Sequence, residues 1–311
     1  MESPPSNEQT LPPGSAPATR WPRLRLAARS LLSLLVGAAS ILCAVLLVRN
    51  GLVPLVDTLF HPDPATLSLV RRMGIFLGAL AGYAAYVHWV ERRRADELRL
   101  RPRRLLLAAG GGALMAGLPI AVLFAIGAYQ LVELRMASSA LWNVAALILI
   151  AAMLEELLHR ALLFRLLERA LGTGIALVLQ ALVFAVPHLE NLERGSAYDV
   201  IALVVSVTML GLLWAALFVL TRNLWTCVVH HAAWNFTILL SGVPLSGIDD
   251  WRALTPLHSR LAGPDWLTGG QFGPESSLLL ILVATIATAA FLRAAKRRGC
   301  LRSGLGAARS S

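Results

Sequence analysis

Charge is what this sequence has least of. Asp, Glu, Lys and Arg together make up 15% of its 311 residues, against 57% that are hydrophobic, and the mean hydropathy is +0.66. Soluble domains carry about 25% charged residues, so this composition excludes an ordinary soluble globule and points to a polytopic membrane protein. Lysine is almost missing. Lys296 is the only one, and the arginine bias points to GC-rich codons and a bacterial origin. Cysteine is scarce as well: Cys43, Cys227 and Cys300 are far apart and form no CxxC or CxxH pair. That excludes a disulfide framework and a thiolate metal site. The net charge of +10 comes from arginines placed between apolar runs, with no basic face interleaved with stacking aromatics. Nucleic acid is therefore not an expected partner, whereas the lipid bilayer is.

Long apolar runs are what the chain does have. Its fold class is all-α: a polytopic membrane protein of about eight transmembrane helices with the active site inside the helix bundle. The first run follows Arg20, Arg23, Arg25 and Arg29 and ends near Arg49. It is longer than a signal-peptide core and reads as an uncleaved span. Further spans are expected at 74–91, 105–131, 139–165, 174–189, 198–220, 224–241 and 276–294, each near the roughly 20 residues that cross the hydrocarbon core. The fifth and seventh are short and contain histidine, so they are stable only when packed among other helices or lining a cavity. "VDTLFHPDPATLSLVRRMG", between the first two, reads as interfacial. The loop at 242–275, with Trp251 and Trp266, reads either as interfacial anchoring or as a lid over a cavity.

Arginines set the orientation. Arg92, Arg93, Arg94, Arg99, Arg101, Arg103 and Arg104 fall between the second and third spans. Arg165 and Arg169, Arg222, and Arg293 to Arg298 follow the fourth, sixth and eighth. With eight spans all these groups share one side, which the positive-inside rule makes cytoplasmic together with both termini. The expected location is the cell membrane.

Three polar clusters interrupt the apolar runs, where a charged side chain costs several kcal/mol. The first is "AAMLEELLHRALLF", residues 151–164. Helix residues four apart share a face, so Glu156 can meet Arg160, and Glu155 can meet His159. The two glutamates are about 100° apart around the axis. The spacing allows Glu156 and Arg160 to neutralise each other while Glu155 faces a cavity as a general base; it equally allows an interfacial ion cluster. The second is "FAVPHLEN", where Pro187 should loosen the helix one residue before His188 and free a carbonyl beside it. The third is "CVVHHAAWNF", where His231 and Asn235 share a face and His230 points elsewhere. An imidazole and an amide on one face suit an oxyanion, or simply an interhelical hydrogen-bonded pair. At about 1.5 Å per residue, Glu155, His188, His231 and Asn235 lie at similar depth on three helices.

In order, the clusters read EExxxR (Glu155, Glu156, Arg160), FxxxH (Phe184, His188) and HxxxN (His231, Asn235). Together with "GLLWAALFVLTRNLWTCVVHHAAWN", this pattern resembles the CPBP family of intramembrane proteases, also called Abi or CAAX-protease-like, to which the type II CAAX prenyl endopeptidase belongs. The resemblance covers about 140–240. His159 stands where the family often has an aromatic residue, and Ala161 where it often has glycine. The resemblance marks a CPBP-like catalytic core (139–241); composition and hydropathy divide the rest into a disordered basic tail (1–26), N-terminal transmembrane helices (27–138), an extracytoplasmic loop (242–275) and a last helix with a basic tail (276–311). The resemblance also implies peptide-bond hydrolysis in the bilayer: Glu155 and His188 activate water, His231 and Asn235 hold the oxyanion, and Glu156 and Arg160 support the site. The substrate would be a membrane-bound or lipidated peptide or protein. Glu155, His188 and His231 would form the ligand set if zinc were used. The metal-free mechanism is preferred, because HExxH is missing and zinc would divert His231. Two other classes fit the same residues: a non-catalytic membrane scaffold or immunity-type protein, and a proton-coupled transporter.

Overall fold

The computed structural model describes residues 21–192 and 196–303, with side chains described from residue 28. The expected disordered tail lies outside the described residues up to Arg20, but its last part does not. Helix α1 (Trp21–Leu47) already begins at Trp21. It runs through a π-helical turn (Val48–Leu52) into α2 (Val53–Phe60). After a three-residue break, Asp63 caps α3 (Pro64–Ala85) by accepting from the backbone N–H of Ala65 and Thr66. The segment expected to be interfacial is thus mostly helix. Its Pro54 and Pro64 fall at first-turn positions that proline tolerates.

The remaining helices are α4 (Pro102–Ala125), α5 (Leu141–Glu156), α6 (Arg165–Leu171), α7 (Thr173–Ala185), α8 (Ala197–Thr221), α9 (Leu224–Leu240), α10 (Asp265–Thr268) and α11 (Leu278–Arg297). Strands β1 (Tyr129–Leu134) and β2 (Leu257–Leu261) pair antiparallel, Tyr129 opposite Leu261. The span expected at 105–131 therefore stops at Ala125, and its end becomes strand.

Seven segments among the described residues are long and apolar enough to cross a membrane: Ala28–Phe60, Pro64–Val90, Pro102–Ala125, Leu141–Leu171, Thr173–Asn191, Ala197–Thr221 and Leu278–Arg297. The expected count was eight. The difference is α9, whose 17 residues reach about 25 Å against the roughly 30 Å hydrocarbon thickness. It does not need full length, because it is enclosed: Leu224, Cys227, Val228, Trp234 and Ile238 are all fully buried. The outer helices are the reverse. Leu31, Leu32, Leu35, Leu42 and Leu47 of α1 are exposed, as expected where the surroundings are acyl chains.

The arginine-rich loops meet at one end of the bundle. Arg165 of α6 pairs with Glu91 at 2.7 Å, Arg93 pairs with the same carboxylate at 2.8 Å, and Arg222 pairs with Glu168 at 2.5 Å. Asn223 caps α9 through Thr226 and donates to the Arg99 carbonyl at 2.7 Å, while Trp225 donates to the Leu98 carbonyl at 2.9 Å. These bonds set where α9 begins and hence the level of His231. The strand pair and the segment 241–277 lie at the opposite end.

Helix α4 approaches α9 closely through glycine. A Cβ on Gly112 would fall 2.1 Å from the His230 carbonyl oxygen, a backbone atom that cannot move aside. Gly112→Ala is expected to cost about 1–3 kcal/mol or more by overpacking, seen as a lowered unfolding midpoint in detergent. Gly110→Ala, with open space at its Cβ, is the control and should be neutral or slightly stabilising.

Candidate active site

The chain places the three polar clusters around one cavity of about 100 Å³, lined by Glu155, His188, His231 and Asn235 among others. That volume holds several waters.

Glu155 and Glu156 end α5, and the helix then widens into a π-helical stretch, Leu157–Phe164, where α-geometry was expected through residue 165. The change has local compensation. The Ala161 carbonyl accepts from the Tyr83 hydroxyl at 3.0 Å and from Arg165 Nε at 2.8 Å, which replaces hydrogen bonding that a regular ladder would supply. The π turn keeps Glu156 and Arg160 together: Nη1 lies 3.2 Å from Oε1, both side chains are fully buried, and Nη2 donates to the Gly211 carbonyl at 3.2 Å. Phe184 lies under the guanidinium, 4.4 Å from ring centroid to Cζ, a cation–π contact. Glu155 takes the other direction. Its Oε2 has no hydrogen-bond partner and stands 3.9 Å from His231 Nε2.

His231 is held on both sides. Its Nδ1 meets Glu156 Oε1 at 2.9 Å, and its ring stacks on Trp214 at 3.6 Å with the planes 20° apart. Trp214 is itself anchored, donating from Nε1 to His230 Nδ1 at 3.2 Å. His230 therefore faces α4 and serves the site at one remove. With its Nδ1–H given to the Glu156 carboxylate, a neutral His231 presents a lone pair at Nε2; it donates there only when the ring carries a second proton. Asn235, one turn further along α9, lines the cavity, and its Oδ1 has no partner.

His188 follows the break at Pro187. Helix α7 ends at Ala185 and a 3₁₀ turn runs from Pro187 to Asn191. The Phe184 carbonyl freed by that break accepts from His188 Nδ1 at 3.0 Å, so Nε2 is left as an acceptor. His159 does not meet the Glu155 carboxylate. Its Nδ1 donates to the Glu155 backbone carbonyl at 2.9 Å, its ring packs edge-on against Phe184 at 5.0 Å, and it is not among the cavity-lining residues. The zinc set is not assembled: among the described residues no three His, Cys, Asp or Glu side chains are grouped to hold a metal ion. Each imidazole is held through Nδ1, His231 by Glu156 and His188 by the Phe184 carbonyl, and Nε2 of each is left free.

Residues 137–237 match the family described as type II CAAX prenyl endopeptidase Rce1-like. This segment is similar to that family. The match agrees with the CPBP resemblance read from the motifs, and the family it names is one of proteases. No curated protein and no solved structure matches the chain.

The Rce1-like segment contains all the motif residues but not the whole cavity. Leu245, Ser246, Ile248, Trp251, Phe272 and Glu275 line it from the 241–277 segment, which covers that end of the cavity as a lid would. Sequence reasoning named Trp251 without placing it and missed Glu275 and the stacking role of Trp214. A buried acid in a loop carries no periodic signal, and a tryptophan on a uniformly apolar helix such as α8 is indistinguishable from core.

Proposed function

We propose that the chain is an intramembrane endopeptidase that hydrolyses a peptide bond of a membrane-associated or lipidated protein with water activated by Glu155. The observation that supports this most is the grouping of Glu155, His188, His231 and Asn235, drawn from three separate stretches of a protease-family segment, around one cavity.

The separation of 3.9 Å between Glu155 Oε2 and His231 Nε2 suits a single water hydrogen-bonded to both at ordinary lengths. His188 Nε2, an acceptor by tautomer, orients a water from the α7 side. Glu155 removes a proton from the water as its oxygen attacks the scissile carbonyl. The carbonyl oxygen becomes an oxyanion, met by the Asn235 amide and by His231 when that ring is doubly protonated. The C–N bond then breaks, and Glu155 delivers its proton to the leaving amine. Glu156, tied to Arg160, keeps His231 in register and does not touch substrate. Proteomics comparing membranes that express wild-type protein or its Glu155→Gln variant tests this reading, through cleaved peptides that accumulate only with the former.

The arginine-rich end of the bundle is the cytoplasmic one in this reading. The cavity then lies towards the opposite face, beneath the 241–277 segment, and the protein belongs to a bacterial cell membrane. Exposed Met136 lies beside the strand pair and exposed Arg101 at the other end. With the native cysteines replaced, Met136→Cys is expected to react with an impermeant maleimide in intact cells, and Arg101→Cys only after permeabilisation. The reverse pattern would overturn the orientation.

A further inference from the structure

The hydrolytic mechanism leaves one cavity carboxylate unused. Glu275 comes from the Pro274–Ser276 turn, outside the Rce1-like segment, and is 3% exposed. Its Oε2 accepts from the Ser246 hydroxyl at 2.5 Å. It lines the same cavity as Glu155, where no lysine or arginine is present to balance either acid. The Arg160 guanidinium is fully buried and already paired with Glu156. Burial pushes the Glu275 carboxyl up to about 7, with the Ser246 hydrogen bonds opposing part of that rise. Two buried acceptors of the lining, Glu155 Oε2 and Asn235 Oδ1, have no hydrogen-bond donor. The cavity therefore holds two carboxyl groups and unpartnered acceptors and no cationic side chain. Its walls near Glu275 are apolar, including Leu245, Trp251 and Phe272.

We propose that this cavity is an anionic subsite in which Glu275 selects a substrate bearing a cationic side chain, arginine or lysine, beside the scissile bond and rejects one presenting a carboxylate there. The inference rests on the hydrolytic reading for what the occupant is, and deepens it by naming the occupant's charge. Apolar walls accommodate the aliphatic stem of such a side chain, and its head group finds a carboxylate in a water-poor setting where charge-assisted hydrogen bonds are strong. An Asp or Glu side chain, or a free C-terminal carboxylate, would face two like charges and gain no partner, which is discrimination by repulsion.

The test uses the full-length protein in nanodiscs and N-palmitoylated peptides that differ only in carrying Arg or Glu at one scanned position. Binding is measured to the Glu155→Gln variant, so that turnover does not intervene, and cleavage by wild-type protein is read by mass spectrometry. At the position that occupies the subsite, the Arg peptide is expected to bind about tenfold or more tightly than its Glu counterpart. Adding Glu275→Gln should bring the ratio to within about twofold, and adding Glu275→Lys should reverse it. The ratio is internal to each variant, so misfolding shows as loss of both peptides; Glu275→Asp supplies a milder variant in that event. A charge preference that survives Glu275→Gln, or equal binding of the two peptides at every position, overturns the proposal. Cleavage without charge preference sinks the subsite and keeps the hydrolase. A Glu275-dependent preference without cleavage does the opposite.

Discussion

Glu155→Gln should lower hydrolysis by about 100- to 10,000-fold, the range supplied by a positioned general base, while leaving the unfolding midpoint of the purified protein near the wild-type value. The substitution keeps the side chain's size and removes only its ability to accept and return a proton. Little structure depends on that carboxylate. Glu155 Oε2 has no hydrogen-bond partner, and His231 Nε2 stands 3.9 Å away. His188→Ala should also impair turnover, because it removes an acceptor that orients water, and a scaffold protein would tolerate both changes. If cells expressing Glu155→Gln keep the wild-type pattern of cleaved membrane peptides, Glu155 is not the base and the hydrolytic reading falls. A phenotype retained by both variants, without any cleavage by the wild type, would favour the scaffold.

Arg160→Met is the second large effect, and it acts on the fold. It leaves the Glu156 carboxylate in a site with no solvent exposure, facing only His231 Nδ1 at 2.9 Å. Breaking one side of a buried ion pair costs about 3–5 kcal/mol, and here the contacts to the Gly211 carbonyl and to Phe184 are lost as well. A sharply lower unfolding midpoint in detergent is expected. Adding Glu156→Leu should recover much of the loss, since a buried pair replaced by apolar groups of similar size is often neutral. Hydrolysis should stay low even in that stable double variant, because His231 then has no acceptor to hold its Nδ1 proton, and stacking on Trp214 leaves its tautomer free. Equal stability of Arg160→Met and wild type would show that the pair is not structural. Full activity of the double variant would remove the positioning role given to Glu156.

Much of the site was legible before any coordinates, because an ionisable group in an apolar run is expensive and so announces itself. Glu155, Glu156, Arg160, His188, His231 and Asn235 stood out in this way, and their depth counted along each helix placed them near one level. The break at Pro187 was readable too, since a missing N–H has a definite consequence for the carbonyls before it. The π turn after Glu156 was not. It depends on Tyr83 and Arg165 reaching the Ala161 carbonyl, and Tyr83 is a residue of another helix. The shortness of α9 was readable from its apolar run, but which helices enclose it was not, because that depends on neighbours distant in the chain. The strand pair at the cavity end joins residues more than a hundred positions apart, a pairing that local alternation does not signal.

By itself, the sequence determined that this chain lives in a bilayer and which side chains are available for chemistry there, because both follow from local transfer energies that each residue carries with it. Only the tertiary structure decided which contacts those side chains make. Glu155 and Glu156 are chemically identical and adjacent, and spacing allowed either a Glu156–Arg160 pair with Glu155 facing a cavity or an interfacial ion cluster. The packing of α8 and α9 directs Glu156 to Arg160 and His231 and leaves Glu155 to the cavity. The same packing brings in Trp214 and, from a loop beyond all the motifs, Glu275. These are non-local choices, made by which surfaces fit together and not by any one stretch of chain.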